Sequence, residues 1–212
     1  ERMAGPLTGV RVVELGQFVA GPAAACVLGD WGADVVKVES PRGGDPARGL
    51  AALGLSAKDI NFGMENFNRG KRSVALDLQK PAGRAALLRI LAGADVLVSN
   101  WRPDALERAR LDYASLAADL PRLVYAQLNG YGPRGPMRDT AAFDFAAYLA
   151  RTGSQRSLGE PDEPPPAQRP AMGDAQVGFG LAGAICAALL QRERSGRGEH
   201  IHTSLYQAGM WM

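Results

Sequence analysis

The sequence predicts an α/β protein built on an open, doubly wound, mostly parallel sheet. Short runs rich in β-branched residues recur along the chain, helix-like segments separate them, and strand, helix and strand follow within the span Val10–Val38. That order describes a βαβ unit, and its repetition describes a parallel sheet covered on both faces.

The elements are justified in order. Val10 to Leu15 (VRVVEL) predicts a strand, and Gly16 to Pro22 a loop. Ala23 to Trp31 predicts a helix stopped by Gly32, and Asp34 to Val38 (DVVKV) a second strand. Gly43–Pro46 and the stretch 56–67 read as loops, and Asn68 to Arg72 as a basic turn. Ser73 to Leu78 predicts a strand, and Pro81 suits the first turn of a helix reaching Leu91. Strands are expected over Asp95–Ser99 and Leu123–Leu128, with a helix from Leu106 to Leu120 broken near Leu111. Thr140 to Thr152 reads as a helix, and residues 153–169, rich in Pro and Glu, as a linker. The division expected is 1–152, the linker 153–169, and a segment 170–212 holding a long helix, the strand Glu199–Ser204 and the start of another helix.

Composition narrows the function classes. Apolar residues make up 46% and charged residues 22%, ordinary values for a globular chain. A net charge of +2 does not support nucleic-acid binding. The longest apolar run, Val177 to Leu190, is glycine-laced and too short for a bilayer span, so no membrane partner is expected. With no signal peptide before Leu7, the expectation is a cytoplasmic protein. Cys26 and Cys186 fall on apolar helical stretches and read as buried free thiols.

The chemistry concentrates at the predicted strand ends, where open α/β sheets bind ligands. Arg42, Arg48, Lys71, Arg72, Arg102 and Arg108 are loop or turn positions suited to separated phosphates, and Phe18 and Trp101 can stack on a base. Asp174 follows Gly173 at the start of the long helix. It reads either as an N-cap or as a carboxylate nucleophile at the mouth of a site. Gly178 to Gly183 matches G-x-G-x-x-G, but it lies inside a helix after a proline-rich stretch, so it is no dinucleotide loop. Gly173, Gly178, Ala182 and Gly183 instead predict a surface for close backbone approach. His200 and His202 share a strand face, but two donors do not make a metal site, and none is expected. No G-x-S-x-G elbow is present.

Taken together, LTGVRVVEL (Leu7–Leu15), Ala20-Gly21-Pro22, GADVVKVE (Gly32–Glu39), Gly44-Asp45-Pro46, Asn68 with Lys71-Arg72-Ser73, Asn100-Trp101-Arg102-Pro103, Gly130-Tyr131-Gly132, Gly173-Asp174 and Gly196-Arg197-Gly198 resemble the class III coenzyme A transferases. That family also contains the α-methylacyl-CoA racemases. The resemblance implies a Rossmann-like CoA-binding domain in an interlocked homodimer, with Asp174 as nucleophile. It places CoA contacts at Phe18, Val19, Ala20, Lys71, Asn100, Trp101, Arg108 and Leu205. Acyl-CoA and a small carboxylic acid are the implied substrates, with no tightly bound cofactor. The family's C-terminal half is not in the sequence.

Two departures matter. Some transferases have Gln where this chain has Val19, which removes a polar group from the turn, and Gln17 is out of phase to replace it. Racemases carry a His-Asp pair where this chain reads Phe143-Asp144, so one of two opposed bases is missing. Transferase is therefore favoured over racemase. A CoA-binding module without catalysis is the remaining alternative. The apolar residues Leu205, Tyr206, Met210, Trp211 and Met212 predict association with a second subunit or with further chain.

Overall fold

The computed structural model describes residues 5–53 and 60–211. Six strands form one all-parallel sheet in the order β3-β2-β1-β4-β5-β6. They are β1 (Arg11–Leu15), β2 (Asp34–Glu39), β3 (Arg72–Ala75), β4 (Val96–Ser99), β5 (Val124–Asn129) and β6 (His200–Ser204). The chain winds outward from β1 to β3, returns to β4 beside β1, and winds the other way. The direction reverses between β1 and β4, and a crevice opens there at the carboxyl ends of the strands.

Both faces of the sheet are covered, which is why the strands read as continuous apolar runs rather than alternating ones. On one face Val12, Val35, Val98 and Val124 pack against α1 (Ala20–Asp30) and α6 (Met172–Ser195). On the other, Val13, Leu15, Leu97 and Tyr125 meet Leu87 and Leu91 of α3 (Pro81–Leu91), Leu106 of α4 (Pro103–Ala109) and Leu116 of α5 (Tyr113–Leu116). Neighbours such as Val12 and Val13 therefore serve different cores, as the twofold period of a strand requires.

The segment beyond the linker completes this same body. β6 pairs with β5 from Tyr125↔His200 to Asn129↔Ser204, and α6 lies along α1. Gly178 permits that contact, since a Cβ there would sit 2.7 Å from Ala23 Cβ and 2.8 Å from the Ala20 carbonyl oxygen. Gly173 likewise faces the Tyr148 ring, whereas Gly183 faces open space. The close-approach surface expected along the long helix thus lies against the chain's own α1 and Tyr148, and Gly183 is not part of it. α6 is the one helix among the described residues long and apolar enough to cross a membrane, and half of its apolar window is buried inside the molecule.

Several boundaries differ from expectation. α1 begins at Ala20, since Pro22 is tolerated in a first turn where its missing N–H is not needed. The stretch expected as loop over 56–67 contains α2 (Phe62–Asn68), whose Met64 N–H is capped by the Asn61 side chain at 3.0 Å; residues 56–59 lie outside the described residues. A 3-10 helix, Pro46–Leu53, precedes it. The break expected near Leu111 is present, separating α4 from α5 at Arg110, whose left-handed φ of 52° ends α4; α4 starts earlier than expected, at Pro103, and α5 stops at Leu116. The helix expected over Thr140–Thr152 is shorter and wound as a π-helix, Phe145–Ala150, with Asp144 capping Phe145 N–H at 2.9 Å. Chain then runs to Ala171, left-handed at φ 65°, from which α6 starts. α6 ends at Gly196 (φ 72°), which donates to the Arg192 carbonyl at 2.8 Å, and α7 (Leu205–Gly209) follows β6.

Candidate active site

The loop after β1, Gly16 to Val19, forms one wall of the crevice, and a buried ionic cluster sets its shape. Glu14 on β1 and Lys37 on β2 are register partners deep in the sheet. Lys37 Nζ lies 2.6 Å from Glu14 Oε1 and 2.8 Å from Asp45 Oδ2, and donates to the Gly16 carbonyl at 2.9 Å. Lys71 Nζ pairs with Glu14 Oε2 at 2.7 Å and donates to the carbonyl of Pro22, in the first turn of α1, at 2.8 Å. Burial pulls both lysines toward lower pKa. For Lys37 the carboxylates of Glu14 and Asp45 outweigh burial and its pKa is raised, whereas for Lys71 burial prevails.

Asp45 and Asn100 then fix the loop's backbone. Asp45 Oδ1 accepts the Phe18 N–H at 3.0 Å. Across the crevice, Asn100 Oδ1 accepts the Gln17 N–H at 2.9 Å and Asn100 Nδ2 donates to the Gln17 carbonyl at 2.7 Å. Held at both ends, Phe18 adopts φ 59°, a left-handed conformation that a bulky residue enters only when its surroundings impose it. Glu39, at the end of β2, supports Asp45 by accepting its N–H at 2.9 Å. The paired hydrogen bonds from Arg48 do most to hold the Glu39 carboxyl down at about 2, with Ser73 and Asp45 N–H adding to them against burial.

Asp174 faces this loop from the first turn of α6. It is the third residue of the helix and not its N-cap, which is Ala171. Its carboxylate is 8% exposed and makes no hydrogen bond or ion pair among the described residues. Burial, helped by the Asp144 carboxylate, pushes its pKa up to about 7. Asp144 accepts the Gly173 N–H at 3.3 Å and so fixes the turn that presents Asp174, and burial raises its own pKa too. A desolvated carboxylate without a partner is costly in a fold and reactive toward an electrophile placed against it.

Three contiguous hollows run from this point. A cleft of about 200 Å³ brings together Asp174, Phe18, Val19, Ala20, Asn100 and Leu205. Gln17 borders both this cleft and a second of about 260 Å³, which is also walled by Arg42, Leu76, Leu78 and Trp101. Trp101 borders in turn a groove of about 600 Å³ that carries Lys80, Arg84, Arg108 and Arg110. Six of the nine residues singled out from the sequence thus line one cleft, and Trp101 and Arg108 line the hollows continuing from it. Lys71 lies apart, its ammonium buried against Glu14. Arg48 and Arg72 are paired with Glu39 and Asp34 within the fold. The sequence reading missed Gln17 as a wall of two hollows, and it missed Leu76–Gln79 altogether.

The two histidines belong to an aromatic cluster. His200 stacks on Tyr113 at 4.8 Å, and burial lowers both imidazoles, His202 to about 4. Among the described residues no group of His, Cys, Asp or Glu is placed to hold a metal ion. Cys26 and Cys186 are free thiols, both raised by burial.

Comparison with known proteins bears on this site. The model of CoA-transferase family III matches residues 7–212. The chain is 39% identical over 208 residues to the cinnamoyl-CoA:phenyllactate CoA-transferase of Clostridium sporogenes, covering 96% of this chain and 50% of that one. It is 40% identical over 204 residues to the succinate–glutarate CoA-transferase of Agrobacterium fabrum (strain C58 / ATCC 33970), covering 94% and 51%. The chain therefore spans about half the length of the curated relatives it matches. A crystal structure of a CAIB/BAIF family protein from Brucella suis superposes with a TM-score of 0.91 at 36% identity, over 99% of this chain and 56% of that one. With the family match running from the first strand to the last helix, the chain belongs to CoA-transferase family III.

Proposed function

We propose that this chain is the CoA-binding, nucleophile-bearing part of an enzyme that moves CoA from an acyl-CoA to a carboxylic acid through a mixed anhydride on Asp174. The observation that carries the reading is the buried, unpartnered Asp174 carboxylate at the end of a track of three hollows. An elongated thioester suits that track, with its acyl end at Asp174, its pantetheine arm past Gln17, and its nucleotide phosphates toward Trp101 and the arginines of the third hollow.

The chemistry follows from the carboxylate. An Asp174 oxygen attacks the thioester carbonyl carbon, the C–S bond breaks, and CoA leaves as thiolate. The acceptor carboxylate attacks the aspartyl carbonyl of the anhydride and releases the donor acid, so a new anhydride carries the acceptor's acyl group. Thiolate then attacks that acyl carbon and expels the Asp174 carboxylate. Every oxygen, sulfur and electron pair is accounted for by the two acids and CoA. Racemisation would need a second base opposite Asp174, and Phe143 supplies none.

Because the nucleophile is the anion, protonation stops it. In the full-length protein, transfer is expected with kcat/KM falling about tenfold per pH unit below about 7, the pKa of Asp174. Run in deuterium oxide with a 2-methylacyl-CoA, the same assay should show little α-deuterium in the recovered thioester. Rapid exchange without transfer to any acid would establish the racemase instead.

The reading includes work as a homodimer. Among the described residues β6 is an edge of the sheet, and Met210 and Trp211 are exposed, as are Phe179 and Leu190 of α6, apolar side chains that a partner would cover, whereas Leu205, expected on the same face, is buried; Met212 lies outside the described residues. Light scattering of the full-length protein is expected to give a dimer, and a monodisperse monomer at micromolar concentration contradicts it.

A further inference from the structure

We propose that Phe143, standing on Phe18, makes this site select acyl groups with an apolar, planar body over acyl groups that end in a second carboxylate. The inference rests on the transferase reading and names its substrate class.

The walls around Asp174 carry the argument. Val19, Ala20, Leu128, Ala142, Phe143 and Leu205, all with hydrocarbon side chains, line the cleft. Of its three amide side chains, those of Asn100 and Asn129 are already engaged by backbone, and that of Gln17 stands at the border with the second hollow. Asn100 is closed on Gln17, and Asn129 accepts the Gly132 N–H at 2.7 Å and donates to the Gly132 carbonyl at 2.9 Å. The Arg102 guanidinium, the cation of the cleft, is turned toward Asp104 at 3.8 Å and the Asp139 carbonyl at 3.4 Å. Among the described residues lining the cleft, the charge without a counter-ion is the Asp174 carboxylate, which repels a second carboxylate and is indifferent to a hydrocarbon.

Phe143 adds attraction to that exclusion. Its ring is 60% exposed, an unusual state for a phenylalanine bordering a cavity, and it meets Phe18 edge-on with centroids 5.3 Å apart and planes at 87°. The backbone carrying each ring is fixed. The Phe18 backbone is bound to Asp45, and the Phe143 carbonyl accepts the N–H groups of Ala146 and Ala147 at 3.1 and 3.0 Å. A flat acyl group entering the cleft covers this ring and removes apolar surface from water, with the geometry aromatic pairs prefer already set.

The test compares kcat/KM for 3-phenylpropanoyl-CoA and succinyl-CoA in the full-length protein with one fixed acceptor acid. Wild type is expected to favour the aryl thioester by roughly tenfold or more, and Phe143→Ala to reduce that ratio by roughly tenfold, the range one apolar wall provides. Phe143→Tyr, which keeps the ring, should retain the preference. Phe62→Ala removes a comparably exposed ring from α2, outside the three hollows, and should leave the ratio as it is. A wild type that prefers succinyl-CoA, or an unchanged ratio in Phe143→Ala, overturns the proposal while leaving the transferase reading standing. No transfer from any thioester by wild type overturns both.

Discussion

Replacing Asp174 by Asn is expected to abolish CoA transfer and, at pH 8, to make the protein more stable. Loss of a covalent nucleophile should cost at least about a thousandfold in kcat. The stability gain has a different origin. Burial raises the Asp174 pKa from 3.8 to about 7, so the fold favours the protonated side chain. That contribution is fully present below about pH 4 and disappears as pH rises through 7. Asn stays neutral throughout, so its advantage emerges between pH 4 and 7 and is complete above that. A shift of about three units corresponds to roughly 4 kcal/mol at most, since one unit is about 1.4 kcal/mol. Melting temperatures of the two proteins at pH 4.5 and pH 8 check the sign. Equal stabilities at both pH values would mean that Asp174 is not held desolvated.

The second large effect is expected far from the reacting atoms. Glu14→Gln leaves Lys37 and Lys71 buried, with Asp45 the one carboxylate still paired to Lys37. Breaking a buried pair from one side costs roughly 3–5 kcal/mol, because the remaining charges stay desolvated. Lys37 also holds the Gly16 carbonyl, so the loop carrying Phe18 should loosen and CoA affinity should fall along with stability. Arg72→Ala is the comparison. Its pair with Asp34 is exposed, and such pairs contribute about 1 kcal/mol or less. Denaturant midpoints should separate the two variants clearly. A Glu14→Gln protein as stable as Arg72→Ala would refute the role given to the cluster.

The sheet was legible because its inner strands β1, β2, β4 and β5 are buried on both faces and so appear as nearly unbroken apolar runs. Asp174 stood out in the sequence only through the company it keeps, since alone it reads more readily as a cap, and the structure places it in the cleft three residues past the actual cap, Ala171. The charged cluster was hidden by that same logic of the surface. Lys71 sits in a basic turn and looks like a phosphate ligand, yet its ammonium is buried against Glu14. A signal was present: Glu14 and Lys37 interrupt the runs VVEL and VVKV at corresponding positions, and parallel register sets them side by side. α2 was missed because Gly63, Asn66 and Asn68 are poor helix formers, and packing against α1 overrides propensity there. The π-helical winding of Phe145–Ala150 could not be read from apolar spacing, which was compatible with an ordinary helix. Gln17 was passed over because strand phase stops mattering once Asn100 has pulled the chain out of the sheet.

The most direct test of the central claim is to trap the anhydride. The full-length protein is incubated with an acyl-CoA and hydroxylamine, digested, and mapped by mass spectrometry. A hydroxamate at Asp174, dependent on the thioester and lost in Asp174→Ala, is the result the account predicts. Transfer proceeding at full rate in Asp174→Ala, or a hydroxamate on another carboxylate such as Asp144, would contradict it.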